Sequence, residues 1–128
     1  MALCHDRSHI YAIGGDKSGT KNATKDSEAY NVAEDKWDPL PDLNDARFYA
    51  VALIFNQKWL YTMIGCDMSK GNLSQIDTIE RMDISEGIGN ALHWERIKIE
   101  GIVTGSMYEI AQISSKEVLL FGSGLCHC

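Results

Sequence analysis

The sequence predicts an all-β protein of short antiparallel strands, and three similar hairpin patterns are the main reason. Each pattern is an apolar run, a short polar step and a second apolar run that ends at glycine, which is typical of two paired strands. The second runs end at Gly14-Gly15, at Gly65 and at Gly122. The runs are short and rich in β-branched and aromatic residues, so strands are favoured over helices.

The hairpins alternate with a second recurring unit. The predicted hairpins pair Met1–Cys4 with Ile10–Gly15, Val51–Phe55 with Leu60–Gly65, and Ile110–Ile113 with Val118–Gly122. A polar loop, a third strand and a tryptophan follow the first two: Glu28–Val32 with Trp37, then Thr78–Ile84 with Trp94. The hairpin ends recur after 50 residues, from Gly15 to Gly65, and then after 58, from Gly65 to Ser123. A period near 50 with four short strands per unit indicates the blades of a β-propeller.

At these residues the chain resembles the kelch repeat. In that family a diglycine ends the second strand, an aromatic lies near the third and a tryptophan near the fourth, as Gly14-Gly15, Tyr30 and Trp37 do here. The run Trp37–Pro41 and the position of Arg47 also match. The second unit departs from the pattern, with Ile64-Gly65 for the diglycine and Met82 in the aromatic place, but it retains Trp94.

The resemblance implies kelch-type blades of four-stranded antiparallel sheets in an incomplete ring, with blades at 1–46 and 47–105 and half a blade at 106–128. We expect Tyr30, Trp37 and Trp94 to pack between adjacent blades. Trp59 departs from the repeat and either covers an edge or joins a contact surface. Propellers close with about four to eight blades. We therefore expect a part of a longer chain, self-association through open blade edges, or a truncated product.

The resemblance also implies a protein-binding module that engages a protein or peptide partner through its blade loops. The loop after the second strand and the junction before the next blade open on one face, where the rigid blades hold variable loops. The predicted contact residues are Asp16, Lys17, Lys21, Lys25, Asn44, Asp45, Arg47, Asp67, Lys70 and Asn72.

Composition argues against several other classes. The net charge of −6 disfavours nucleic acid and anionic membranes as partners. No apolar stretch approaches the roughly 20 residues of a membrane span. The first ten residues lack the basic start and apolar middle of a signal peptide, so we expect a cytoplasmic protein with free thiols.

We predict no catalytic residues, metal or cofactor. Cys4, His5 and His9, and likewise Cys126–Cys128, lack the paired spacing of zinc ligands. One alternative is a fragment of a copper-radical oxidase of the kelch class, for which Tyr11, Tyr49, Tyr61, His93 and Cys66 are available outside any recognisable motif. Another alternative is a structural remnant without a function of its own.

Overall fold

The structure, a computed structural model, describes residues 1–16, 22–68, 71–72, 74–88, 92–97 and 108–122. Every regular element within these ranges is a β-strand, so the predicted fold class is confirmed. In chain order the strands are β1 Ala2–His5, β2 His9–Ile13, β3 Ser27–Asn31, β4 Lys36–Pro39, β5 Val51–Phe55, β6 Trp59–Met63, β7 Cys66–Asp67, β8 Ser74–Gln75, β9 Ile79–Asp83, β10 Glu95–Ile97, β11 Tyr108–Gln112 and β12 Val118–Gly122.

Within these ranges the strands form separate small antiparallel sheets that do not close into a ring. Sheet 1 has the order β1-β2-β3-β4, and sheet 2 has the order β5-β6-β9-β10. The third predicted hairpin is present as β11 paired with β12, and β7 pairs with β8. The innermost strands lie side by side, because β5 contacts both β1 and β11. The blade boundaries that the repeat implies stay a prediction.

The core lies between sheet 1 and sheet 2. Successive side chains of a strand point to opposite faces, so each sheet offers one set of apolar residues to its neighbour. The near face of sheet 1, which is turned towards sheet 2, gives Ala2, Tyr11, Ile13 and Ala29; sheet 2 gives Leu60, Met82 and Trp94, and the connections add Leu40, Leu43 and Ile84. Burial of these large apolar side chains stabilises the stack.

The two tryptophans of the repeat differ in burial. Trp94 packs between the sheets as predicted, and its Nε1 donates to the carbonyl oxygen of Pro41 at 2.9 Å. The same prediction for Trp37 stays a prediction, because half of this side chain is exposed on a face where the described residues place no second sheet. Trp37 lies on the far face of sheet 1, turned away from sheet 2, and its ring centroid is 5.2 Å from that of Tyr30.

Candidate functional site

The loops that carry the predicted contact residues meet at one end of the two sheets. Because neighbouring strands are antiparallel, the exits of β2 and β6 and the entry to β5 share this end. We call it the loop end; it comprises residues 14–16, 22–26, 40–50, 64–68 and 71–72. The predicted residues Asp16, Lys25, Asn44, Asp45, Arg47, Asp67 and Asn72 lie here, whereas Lys17, Lys21 and Lys70 fall outside the described residues.

A ribbon of backbone pairs crosses the loop end from sheet 1 to sheet 2. Isolated bridges join Thr24 to Arg47 and Phe48 to Cys66. The amide of Gly15 donates to the Arg47 carbonyl oxygen at 2.8 Å, and the Phe48 and Cys66 backbones exchange hydrogen bonds of 3.0 and 2.9 Å. The blade junction at residues 47–48 is therefore held by both sheets.

The loops themselves are also linked. A bridge between Asp16 and Ala23 closes the base of the first loop. The backbone amide of Ala23 then donates to Oδ1 of Asp67, in the second loop, at 3.0 Å. Asp67 thus connects the loops of two neighbouring sheets instead of pointing only to solvent.

Two glycines make the close approach of the junction possible. A Cβ on Gly14 would lie 2.5 Å from the carbonyl oxygen of Arg47, and one on Gly65 would lie 2.6 Å from that of Phe48. Both glycines have positive φ, +64° and +104°, which side chains rarely adopt. Ile64, in place of the first glycine of a pair, holds a φ of 54° while fully buried.

Arg47 has no exposed surface for a partner, so we remove it from the predicted contact set. Its guanidinium donates to Oε2 of Glu80 at 2.9 Å, and Glu80 is fully buried too. Further bonds go to the carbonyl oxygens of Ile64 and Thr78, at 3.2 and 2.9 Å. A buried charge needs a partner of opposite sign and filled hydrogen bonds, and Glu80 supplies the charge.

Asn44 and Asp45 also have partners inside the protein. The Asn44 side chain donates to Oε1 of Glu80 at 2.9 Å and to the carbonyl oxygen of Trp94 at 3.0 Å. The Asp45 carboxylate accepts two hydrogen bonds from Arg96, both of 3.0 Å. Burial alone would raise the pKa of Asp45, but hydrogen bonds from Arg96 and Thr78 and the charges of Arg96 and Arg47 outweigh it and hold the pKa below its usual range.

Among the described residues of the predicted set, Asp16, Lys25, Asn44 and Asn72 are exposed, although the Asn44 side chain is bonded as described above. Their charges are mixed, as expected for a surface that forms directional salt bridges and hydrogen bonds. The sequence pattern did not identify Glu80, which organises the junction. The available signal was a glutamate in the third strand of both repeats, at Glu28 and at Glu80.

The sequence left open whether Trp59 covers a sheet edge or joins a contact surface. In the structure its side chain is half-buried, and two cations lie over its ring. The Arg81 guanidinium carbon lies 3.9 Å from the ring centroid, and the Lys58 Nζ lies 5.0 Å from it. Arg81 is in turn held by Glu95 at 2.9 Å. A cavity of about 220 Å³ opens beside these residues and His93.

The described residues hold no group of three or more histidine, cysteine or carboxylate side chains placed to bind a metal ion. Cys4 is one of the residues weighed as a ligand, and burial together with the nearby charge of Asp6 raises the pKa of its thiol to about 12. Across the same residues, no helix has the length and hydrophobicity to cross a bilayer.

Comparisons with known proteins agree with this architecture. Residues 1–44 match the family described as "Kelch motif". A stretch of 45 residues is 44% identical to N-(sulfonatooxy)prop-2-enimidothioate sulfolyase of Thlaspi arvense, covering 32% of this chain and 13% of that protein. The solved structure of YjhT superposes with a TM-score of 0.73 at 11% identity, covering 96% of this chain and 43% of that chain. The chain therefore spans less than half the length of either protein.

The motif match and the superposition cover different lengths of the chain. The motif match covers the first repeat, including Gly14-Gly15, Tyr30 and Trp37. The superposition covers nearly all of the chain, and at its low identity it shows the fold alone. Together they show a kelch motif at residues 1–44 and, for the described residues, the fold of part of a β-propeller whose sheets do not close.

Proposed function

We propose that the chain is a non-catalytic protein-binding module whose loop end engages a protein or peptide partner. The main support is the ribbon of backbone pairs that joins the loops of both sheets through Arg47 and Phe48. The hydrogen bond from the Ala23 amide to Asp67 adds a second link between these loops. The described residues of these loops, linked in this way, form one surface whose shape is set before binding. Such preorganisation lowers the entropy cost of forming a complex.

Within this surface, the contacts fall to the exposed side chains. Lys25 is the exposed cation of the predicted set among the described residues, and the exposed Asn72 adds an amide. We therefore propose a partner segment that places a carboxylate against Lys25. Asn44, Asp45 and Asp67 act mainly as supports, because their polar atoms already bind other parts of the protein.

Selection of peptides from a random library on the immobilised protein tests this proposal. Selected peptides should bind at least about tenfold more weakly to Lys25→Glu, a loss of about 1.4 kcal/mol. The control is Lys36→Glu, which reverses an exposed lysine at the opposite end of sheet 1. Selected peptides that bind both variants equally, or none selected at all, would contradict a loop-end site.

The relative named as a sulfolyase supports an enzymatic alternative. It is 44% identical to this chain over 45 residues, which make up 32% of the chain. Incubation of the protein with N-(sulfonatooxy)prop-2-enimidothioate tests it directly. We expect no turnover above the uncatalysed rate. Turnover that grows with protein concentration would replace the binding proposal with a catalytic one, and stoichiometric copper in the purified protein would favour the oxidase alternative.

Self-association through the open edges of the sheets is a separate proposal. Among the described residues, no strand pairs with the outer edge of β4 or of β10, so the backbone groups of these edges can pair with another sheet. Sedimentation velocity over a range of protein concentrations tests it: a species that grows with concentration would support edge pairing, and a monomer throughout would contradict it.

A further inference from the structure

A cavity of about 680 Å³ lies at the end of the sheets opposite the loop end. We call this the hairpin end, because the turns at residues 6–8 and 56–58 join the first and second strands of sheets 1 and 2 there. Strands β1 and β5 contact each other, so the two turns are neighbours. The first hairpin and the second both line the cavity, through His5, Asp6, Arg7, Ser8 and Gln57.

The acid of this cavity, Asp6, is already occupied by donors of its own hairpin. Its Oδ1 accepts from the backbone amides of Ser8 and His9, both at 2.8 Å, and from the Ser8 hydroxyl at 3.1 Å. Its Oδ2 accepts from the hydroxyl of the buried Tyr11 at 2.8 Å. Burial alone would raise the pKa of Asp6, but these hydrogen bonds hold the pKa below its usual range. Asp6 therefore holds the turn in shape and leaves little acceptor capacity for a ligand.

Two donors that line the cavity are free to bind a ligand. The Arg7 guanidinium is exposed and forms no hydrogen bond or ion pair within the described part of the chain, and the same holds for the side-chain amide of Gln57. Guanidinium and amide groups present planar arrays of N–H donors, which match the two oxygens of a carboxylate. The cavity thus offers one positive charge and more free donors than acceptors.

The backbone of the second turn gives an independent indication that the Gln57 side chain has a role. Asn56 and Gln57 have φ values of 53° and 57°, the signs of a type I′ turn, in which glycine is favoured at the second place. Asn56 uses its side chain inside the protein: Nδ2 donates to the Ser115 carbonyl oxygen at 2.9 Å, and Oδ1 accepts from Gln112 Nε2 at 2.7 Å. Gln57 lines the cavity instead, and an unfavourable backbone conformation at such a place is typical of a binding residue.

We propose that the hairpin-end cavity binds a carboxylate, with the Arg7 guanidinium and the Gln57 amide as its donors. Asp6 positions Arg7 by fixing the first turn, and Asn56 positions Gln57 by fixing the second turn against the third hairpin. The cavity has the size of a site for a small organic molecule, and its lining is polar. A free organic acid and an acidic side chain of a polypeptide both supply the carboxylate, and the experiment separates them. This site lies at the opposite end of the sheets from the loop end and goes beyond the proposed function.

Titration of the isotope-labelled protein with glutarate at constant ionic strength, followed by NMR, tests this site. We expect saturable shifts of the Arg7 and Gln57 side-chain signals, and an affinity that falls about fivefold in Arg7→Gln, the upper range for an exposed ion pair. Gln57→Gly should also weaken binding while it raises stability, a combination that a purely structural role does not produce. The matched control is Lys36→Gln, which removes an exposed positive charge from the β3–β4 turn at the same end. Glutaramide, of similar shape but without charge, is the control ligand.

Three outcomes would overturn the proposal: no saturable shifts with glutarate, equal affinity for glutaramide, or equal affinities of the Arg7→Gln and Lys36→Gln proteins. A blocked glycine–glutamate–glycine peptide identifies the source of the carboxylate. Tighter binding than glutarate assigns the site to an acidic side chain of a polypeptide, weaker binding assigns it to a free organic acid, and both results support a carboxylate site. Lys25→Glu should leave glutarate binding unchanged, so failure of the loop-end site is distinguishable from failure of this one.

Discussion

Replacement of Glu80 with glutamine is the most direct test of the buried junction. The carboxylate receives four donors: Oε1 accepts from the amide and Nδ2 of Asn44 at 2.6 and 2.9 Å, and Oε2 accepts from the amide of Asp45 and from Arg47 at 3.0 and 2.9 Å. A glutamine of the same shape has one acceptor oxygen. Whichever way its amide is turned, its NH2 group faces two donors and Arg47 loses its buried counter-charge.

The expected cost follows from these contacts. Removal of one partner from a buried ion pair typically costs about 3–5 kcal/mol, because the other charge is left uncompensated. Asp45 stays 3.8 Å from the Arg47 guanidinium and reduces that loss, although its carboxylate is shared with Arg96. We therefore expect the low end, a loss of about 3 kcal/mol in the free energy of unfolding, or roughly 10 °C in Tm for a domain of this size.

Urea denaturation followed by tryptophan fluorescence and by circular dichroism measures this loss. Glu28→Gln is the matched control, because it makes the same chemical change at the equivalent position of sheet 1, where the side chain is exposed; it should stay within about 0.5 kcal/mol of the unmodified protein. A loss below about 1 kcal/mol for Glu80→Gln, or an equal loss in the two variants, would refute the assignment of Glu80 as the buried partner of Arg47.

Three further predictions concern the backbone and a thiol. Gly65→Ala should lower stability by more than about 2 kcal/mol, because its Cβ would meet the Phe48 carbonyl oxygen, whereas Gly71→Ala, with nothing within 4 Å, should cost only about 1 kcal/mol; thermal melts compare the two. Gln57→Gly should raise the unfolding free energy by about 0.5 kcal/mol, since glutamine holds a φ of 57° in an exposed turn; an unchanged or lower value in urea would contradict this. Cys4 should resist iodoacetamide at pH 8 in the native protein and react after unfolding, because a thiol pKa of about 12 leaves little thiolate. Mass spectrometry measures the alkylation, and a native protein alkylated at Cys4 would contradict this prediction.

The strands were predictable because their signals are local. Alternating apolar runs that end at Gly15 and Gly65 define hairpins without reference to the rest of the chain, and the structure places β1–β2 and β5–β6 there. The reason for those glycines was only partly predictable. Positive φ is a property of the turn, but the approach of the Arg47 and Phe48 carbonyl oxygens depends on how two sheets meet.

The fate of Arg47 shows where the sequence pattern stops being informative. An arginine in a blade junction has the composition of an exposed contact residue, and nothing next to it in sequence indicates burial. Its counter-charge, Glu80, is 33 positions further along the chain and comes from a different sheet element. Pairings at such separation follow from the register of the sheets and the packing between them, which a single sequence does not specify.

Trp37 and Trp94 hold the same position in the repeat but differ in how far they are buried. The repeat places each tryptophan at the same register position of its sheet, yet Trp94 is 5% exposed and Trp37 is 50% exposed. The difference comes from the neighbour: Trp94 meets the near face of sheet 1, and no described residue covers Trp37 in the same way. The repeat therefore encodes one half of an interface in each sheet, and burial follows only where the other half is present.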